Sequence, residues 1–103
     1  MLRHFKADLF KALAHPIRIL ILDALRDGEV SVGALQERLG VEQSSVSQHL
    51  AALRANNLVR ARREGTSVFY EISDPEIWDL LDTARDIYER QLLTNREMFE
   101  ALR

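Results

Sequence analysis

The fold of this chain is decided by SSVSQHLAALRANNLV, residues 44 to 59, together with RARREGTSVFYEIS, residues 60 to 73, which follows directly. In the first stretch Val46, Leu50 and Leu53 recur at helical spacing, which predicts a helix with one apolar face. Short polar side chains occupy other positions of this helix, and such groups can hydrogen-bond to the edges of DNA bases. We therefore predict a helix that enters a DNA groove.

The second stretch predicts a short two-stranded antiparallel hairpin, which we call the wing. A turn sequence, EGT at residues 64–66, separates two extended segments, and after it Val68, Tyr70 and Ile72 alternate with residues of the opposite face. The segment before the turn carries three arginines, Arg60, Arg62 and Arg63. A basic hairpin beside a polar helix is a pattern typical of DNA binding.

Length and composition indicate one small domain. A chain of 103 residues can build one modest core, so we predict a single domain over residues 1–103. The sequence has no cysteine, which excludes disulfides and thiolate metal sites. No apolar run approaches the roughly 20 residues that a membrane span needs, and no signal peptide is visible. We therefore expect a cytoplasmic protein without a membrane partner.

The net charge of −2 is unevenly distributed along the chain. Residues 1–41 carry +1, residues 42–70 carry +2 and residues 71–103 carry −5. The predicted DNA-binding segment is therefore locally positive, and an acidic C-terminal segment is compatible with DNA binding if it is held away from the phosphates. A solvated surface would give a similar distribution, so charge alone does not decide the function.

The pattern outside these two stretches predicts further helices. Residues 2–14 form a short amphipathic helix, and Pro16 suits the first turn of a second helix that stops near Gly28. Ser31 is placed to cap a third helix that runs through Leu39. A glycine then makes a tight turn, so the third and fourth helices have the spacing of a helix-turn-helix.

Ser44 is predicted to cap the fourth helix, and Asp74 with Pro75 opens a fifth helix at about residues 75–101. The fold class is therefore mostly α with a small β-wing, a winged helix-turn-helix of about five helices plus a two-stranded antiparallel hairpin. The first and last helices carry more apolar surface than docking on one domain requires. We predict that these terminal helices, about residues 2–14 and 75–101, pair two copies of the chain into a homodimer. The alternative is that the same surface is intramolecular core.

The chain resembles the ArsR/SmtB family of winged helix-turn-helix transcriptional regulators over about residues 5–92. The resemblance lies in four segments that follow the family's order: FKALAHPIRILILDAL at 10–25, SVGALQERLGV at 31–41, the helical stretch at 44–59, and RREGTSVFYEI at 62–72. It implies a DNA-binding regulator that binds a partly palindromic operator as a homodimer, most often as a repressor. Asn57 stands where the family usually has glycine, and asparagine tolerates the left-handed conformation that this helix end requires.

The predicted contacts to double-stranded DNA come from the fourth helix and from the wing. Gln48 is the candidate for base reading, because its amide can pair with two polar atoms of adenine, worth roughly 1 to 3 kcal/mol of discrimination. Arg54, at the far end of the helix, is a candidate phosphate contact. The other candidates are Ser44, Ser45, Ser47 and His49 on the helix and Arg60, Arg62, Arg63 and Thr66 on the wing. The wing residues would meet phosphates or the minor groove, and the alternative for each arginine is a solvated surface charge.

No cofactor is predicted, and the two best-known metal sites of the family are absent from the sequence. Ser31 and Gly33 stand where cysteine ligands would be, and the last helix contains no histidine. A nickel or zinc site could instead form in a dimer from His4 and carboxylates of the last helix, namely Asp79, Asp82, Asp86 and Glu89. The alternative for these carboxylates is an ordinary solvated face. His15 is interpreted as structural, and His49 as a packing or phosphate-contacting group.

A second class of function stays open, a winged-helix module that binds proteins without contacting DNA, which would suit the acidic total charge. An enzyme is not predicted, because the chain has no cysteine nucleophile, no glycine-rich phosphate loop and no Ser/His/Asp set at a spacing that implies one site. We expect any switch, whether a small effector or a metal ion, to act through the terminal helices that join the two copies.

Overall fold

The computed structural model describes residues 1–102, which form five helices and three short strands. The helices are α1 (Leu2–Leu13), α2 (Pro16–Ala24), α3 (Val32–Leu39), α4 (Gln43–Ala55) and α5 (Glu76–Ala101). The strands are β1 (Val30–Ser31), β2 (Val59–Glu64) and β3 (Ser67–Ile72). The winged helix-turn-helix fold and the helix count are confirmed. The predicted two-stranded hairpin is part of a three-stranded antiparallel sheet in the order β1-β3-β2.

The beginnings of α2 and α3 follow local sequence signals. His15 caps α2, because its Nδ1 accepts a hydrogen bond from the Ile17 backbone N–H at 3.1 Å, and Pro16 occupies the first helical position. Ser31 caps α3 in the same way, since its hydroxyl oxygen accepts from the Ala34 N–H at 3.2 Å. The predicted cap at Ser31 and the structural interpretation of His15 therefore agree with the structure.

The turn into α4 differs from the prediction by two residues, because the N-cap is Glu42 and not Ser44. Helix α3 ends at Gly40, whose φ of 62° is left-handed, and α4 begins at Gln43 after an extended Glu42. The Glu42 carbonyl accepts the first helical hydrogen bond, from the Val46 N–H at 3.1 Å. The prediction that Ser44 caps α4 is wrong, because the left-handed glycine turns the chain within two residues and the helix starts before the serine is reached.

Three other helix ends can be compared with the sequence. Asn57 has a φ of 60°, so it adopts the left-handed conformation expected of it after α4. The Asp74 carboxylate accepts a hydrogen bond from the Glu76 N–H at 3.0 Å, but the N-cap of α5 is Pro75, so the predicted cap at Asp74 lies one residue too early. Helix α2 was predicted to stop near Gly28 and is shorter than that. It ends at Ala24, and turns connect Ala24 to Gly28.

The core lies between α2, α3, α4 and the base of the sheet. The largest side chains with under 2% of their surface exposed are Ile21, Leu22, Leu25, Leu35, Val46, Leu50 and Leu53. Burial of each such side chain stabilises the fold by roughly 1.5–3 kcal/mol. The first half of α5 packs against this unit, where the Trp78 indole N–H donates to the Leu22 carbonyl at 2.8 Å. The predicted apolar face of α4 is therefore part of the core.

The second half of α5 extends away from this core. None of the residues of α5, all of which the structure describes, is buried, and positions 83–101 are exposed throughout. Its exposed apolar side chains include Ile87, Tyr88, Leu92, Leu93, Met98 and Phe99. The molecule is accordingly elongated, with extents of 62 × 37 × 22 Å. Within residues 1–102, no helix has the length and apolar character that crossing a membrane requires.

Candidate nucleic-acid interface

The outer side of α4 carries a continuous row of polar and small residues, which we call the α4 stripe. Because each helical residue turns by about 100°, this row lies opposite the buried Val46, Leu50 and Leu53. Its members are Ser44, Ser47, Gln48, Ala51, Arg54 and Ala55, all of them exposed. The alanines let another surface approach the helix backbone closely, and the serines and Gln48 supply hydrogen-bonding groups beside them. Four of the predicted contact residues are therefore together on one accessible surface.

Ser45 and His49 lie on a different side of α4 and are half-buried. The His49 ring centroid is 4.1 Å from that of His15, and the His49 Nδ1 accepts a hydrogen bond from Arg18 Nε at 3.1 Å. Arg18 also donates to the Ala12 carbonyl at 3.1 Å. Burial, and then the electrostatic influence of His15 and Arg18, lower the pKa of His49. His49 thus packs α4 against the start of α2.

The two faces of the wing present different arginines. Strand alternation puts Arg63 and its cross-strand neighbour Val68 on the same face as the buried Val59, which points to the core. Arg60 and Arg62 lie on the opposite face, which we call the outer face of the wing. Among residues 1–102, the ion pairs of the wing arginines are made by Arg60 and Arg62. Arg63 is therefore the wing arginine whose charge is available on the side of α4.

The arginines of the outer face are paired with carboxylates. Arg60 lies 3.4 Å from Glu71 across the hairpin. Arg62 donates from Nε and Nη2 to the two oxygens of Glu29, at 3.0 and 2.7 Å, and from Nη1 to Glu64 at 2.8 Å. These hydrogen bonds raise the pKa of Arg62, and the guanidinium in turn lowers the pKa of Glu29. The sequence did not predict the pair formed by Arg62 and Glu29, which are 33 residues apart.

A shallow groove of about 460 Å³ separates the start of α4 from the wing. Ser47 and Thr66 both line it, so the structure brings a helix candidate and a wing candidate together here. Gln43, Ser67 and Tyr70 also line the groove, and the sequence reasoning missed them. Gln43 lies one helical turn before Ser47, and this spacing is a signal that could have identified it.

The candidate metal ligands are dispersed in the single chain. Among residues 1–102, no group of three or more histidine, aspartate or glutamate side chains is arranged to hold a metal ion. Asp82 is paired with Arg26, whose Nη2 lies 2.7 Å from the Asp82 Oδ1, and this hydrogen bond lowers the pKa of Asp82. His4 lies on α1 and is exposed. A metal site shared between two copies stays a prediction.

Several known proteins are similar to this chain in sequence and in fold. The family profile described as bacterial regulatory protein, arsR family, matches residues 15–61. The uncharacterized HTH-type transcriptional regulator Rv0081 of Mycobacterium tuberculosis is 43% identical over 99 residues, which are 95% of this chain and 87% of the relative. The crystal structure of Rv0081 matches with a TM-score of 0.79 and 44% identity, over 92% of this chain and 95% of that one.

Two further similar proteins are a transcriptional activator and a homodimeric DNA-binding domain. The transcriptional activator HlyU of Vibrio cholerae is 44% identical over 80 residues, which are 78% of this chain and 74% of the relative. The solution structure of a homodimeric winged helix-turn-helix DNA-binding domain, Mb0332 from Mycobacterium bovis, matches with a TM-score of 0.78 and 35% identity. That match covers 88% of this chain and 84% of the relative.

Proposed function

Since the chain belongs to the arsR family of bacterial regulatory proteins and is a DNA-binding transcription regulator, not an enzyme, we propose that it binds a partly palindromic operator as a homodimer. In this arrangement each subunit presents its α4 to the major groove, and the two helices are about 34 Å apart, one turn of DNA. The symmetry of the operator then mirrors the symmetry of the protein.

The α4 stripe is the observation that carries this proposal. The apolar residues of α4 are used in the core, so its exposed side is left with hydrogen-bonding groups and small side chains. A major groove about 12 Å wide admits one helix, and it displays donors and acceptors that such groups can match. We therefore propose that Ser44, Ser47 and Gln48 face the base edges, with Gln48 as the residue that selects adenine.

The wing supplies the proposed contacts to the DNA backbone. Arg63 and Thr66 are proposed as direct phosphate contacts, because Thr66 lines the groove beside α4 and Arg63 lies on the face that turns toward it. Arg54, in the last turn of α4, is proposed as a further phosphate contact. Such contacts contribute affinity that falls with salt and carry little sequence information.

The terminal helices are the proposed dimer interface. Exposed apolar side chains occur on α1, at Leu2 and Phe5, and along the second half of α5. Apolar surface of this extent is typical of a protein interface. The homodimeric Mycobacterium bovis relative supports a second copy of this chain as the partner. Pairing through these helices also leaves α4 and the wing free for DNA.

The test is binding of the purified protein to a labelled duplex taken from upstream of its own gene, followed by fluorescence anisotropy over a range of salt concentrations. We expect Gln48→Ala to change the preference among operator variants. Arg63→Ala should weaken binding to every duplex and reduce the salt slope by about two, one for each subunit of the dimer. Arg90→Ala, which removes the same charge from α5, is the control. Wild-type protein that binds no DNA at low salt would overturn the proposal and favour a protein-interaction module.

A metal response through His4 and the α5 carboxylates is a secondary hypothesis that the same material can test. Asp82 is paired with Arg26 and Glu89 lies 3.8 Å from Arg85, which leaves Asp79 and Asp86 as the carboxylates that a partner's histidine could meet most directly. Calorimetry with nickel and with zinc, followed by DNA binding in the presence of each ion, should show tighter ion binding by the wild type than by His4→Ala. Operator affinity that neither ion changes would end the metal hypothesis.

A further inference from the structure

We propose that Glu29 is a positioning residue for DNA binding, because its ion pair with Arg62 holds the wing in a fixed orientation relative to the helix-turn-helix. The inference rests on the proposed function. It also gives Arg62 a different role from the direct phosphate contact that its place in the sequence predicts. Glu29 itself touches no DNA in this account and acts through Arg62.

Each nitrogen of the Arg62 guanidinium donates to a carboxylate on the outer face of the wing. Its Nε and Nη2 form a two-point fork with Glu29, and its Nη1 bonds to Glu64. The Arg62 Cζ also lies 4.9 Å from the centroid of the Phe69 ring. A two-point arginine–carboxylate pair fixes direction as well as distance, because both planar groups must align. A phosphate that approached this guanidinium would share it with the two carboxylates already bound to it.

The Arg62 side chain connects the two edges of the sheet. Arg62 is on β2, Phe69 lies opposite it on the central strand β3, and Glu29 directly precedes β1. Strand β1 has only two residues, which pair with Phe69 and Tyr70. The backbone ladder that joins the hairpin to the body along this edge is therefore short. The Arg62 side chain crosses the central strand β3 and ends on Glu29, which precedes β1. It therefore restrains the hairpin relative to the rest of the domain at a place where the backbone ladder does not.

Exposure and sequence position separate the two carboxylates that share Arg62. The Glu29 side chain is 29% exposed and belongs to the connection between α2 and β1, whereas Glu64 is 68% exposed and lies on β2 itself. Of these two contacts of Arg62, therefore, the one with Glu29 links the wing to the rest of the domain and the one with Glu64 does not. Glu64 is two residues from Arg62 on the same strand, so its contact cannot restrain the strand relative to anything else.

The two roles open to Glu29 predict changes in DNA affinity of opposite sign when Glu29 is replaced by glutamine. If Glu29 merely competed with DNA for Arg62, Glu29→Gln would raise DNA affinity, because it frees a cation and removes a negative charge. If Glu29 positions the wing, the same substitution lowers the affinity. We expect a fall of about three- to tenfold, the range in which coupled ionic contacts act. In the free protein, amide hydrogen exchange along β3 should become faster, with α2 unchanged.

Glu64→Gln is the matched control, because it removes the same charge from the same guanidinium without cutting the link to the body. We expect DNA affinity equal to or above that of the wild type, and unchanged exchange along β3. Arg62→Lys keeps the positive charge but cannot form the two-point fork. We expect it to resemble Glu29→Gln in both measurements, whereas a simple phosphate contact would be largely preserved by lysine.

The outcomes separate this inference from the function on which it rests. A Glu29→Gln protein that binds DNA more tightly, or that matches the wild type in both affinity and exchange, would overturn the positioning role. Wild-type protein that binds no DNA would overturn the proposed function, and the exchange of the free variant would still decide whether Glu29 restrains the wing.

Discussion

Helices α4 and α5 are both amphipathic, but their apolar residues are used in different places. Helix α4 has 13 residues and buries Val46, Leu50 and Leu53 completely inside its own domain. Helix α5 has 26 residues, all described, none of which is buried. Its apolar residues are half-buried near the start, as at Trp78 and Leu81, and exposed from Ile87 onward.

An apolar face on a helix can therefore either pack in the core of its own subunit or provide a surface for another molecule. In α4 the apolar residues stabilise the subunit and leave the opposite side, the α4 stripe, for the proposed contact with DNA. In α5 the first two turns belong to the same core, and the remainder has apolar surface that only another molecule can cover. The following predictions test this division, in order of decreasing effect.

Leu50→Ala should produce the largest loss. Leu50 is fully buried, so the substitution removes apolar contact and leaves a cavity that the neighbouring side chains fill only in part. We expect the free energy of unfolding to fall by about 2–5 kcal/mol. Urea denaturation monitored by circular dichroism measures it, with Ser47→Ala on the exposed side of α4 as a control that should change little. A loss below about 1 kcal/mol would contradict the assignment of α4 to the core.

Leu92→Glu combined with Phe99→Glu should separate the two copies without unfolding them. Both side chains are exposed in the single chain and lie on one side of α5. We expect a monomer in sedimentation experiments, a retained helical spectrum, and operator affinity about a hundredfold lower because two-site binding is lost. Arg90→Glu changes the net charge equally from the other side of the helix and should stay dimeric. A double variant that stays dimeric would show that this half of α5 is not the interface.

Trp78→Phe should have a smaller effect, confined to the docked half of α5. The substitution removes the indole N–H that donates to the Leu22 carbonyl and keeps most of the aromatic packing. We expect a loss of about 1 kcal/mol in the free energy of unfolding at a fixed protein concentration. Tyr88→Phe, in the exposed half, should leave this free energy within about 0.5 kcal/mol of the wild type. An equal loss in the free energy of unfolding in the two variants would contradict the distinction between a docked half and an exposed half of α5.

The pH dependence of stability should show the smallest effect, through His49 on α4. Burial, His15 and Arg18 lower the pKa of His49 in the folded domain below its ordinary value of 6.5. As the pH falls below 6.5, the unfolded chain takes up a proton at this residue before the folded domain does. The free energy of unfolding should therefore decrease through the window between 6.5 and the lowered pKa. In His49→Gln this decrease should be reduced, and an unchanged pH profile would contradict the prediction.

Much of the fold could be predicted because its signals are local. The apolar face of α4, the cap at Ser31 and the left-handed Asn57 each depend on residues within a few positions of one another. The cap predicted at Ser44 was wrong because the turn after Gly40 is shorter than expected, so that α4 begins before Ser44 is reached. Strand β1 was missed because two residues are too few to show an alternating pattern.

The exposed positions of α4 were predictable from helical spacing, whereas the arrangement of the candidate site residues was not. Spacing alone identified Gln48 and Ser47 as exposed polar positions of a helix, and the structure shows both on one side. The pairing of Arg62 with Glu29 and the packing of His49 against His15 join segments more than 30 residues apart. Such contacts depend on how the elements pack, and no periodicity in the sequence contains that information.

The exposed half of α5 also bears on how long a single copy of the protein survives. A helix without tertiary contacts is only marginally stable in water, and segments that fray are where proteases cut first. An unpaired copy presents positions 83–101 in this vulnerable form, whereas pairing through α5 would cover them. We therefore expect unpaired copies to be degraded faster than paired ones, so that turnover itself holds the cellular amount of the protein near the level at which pairs form.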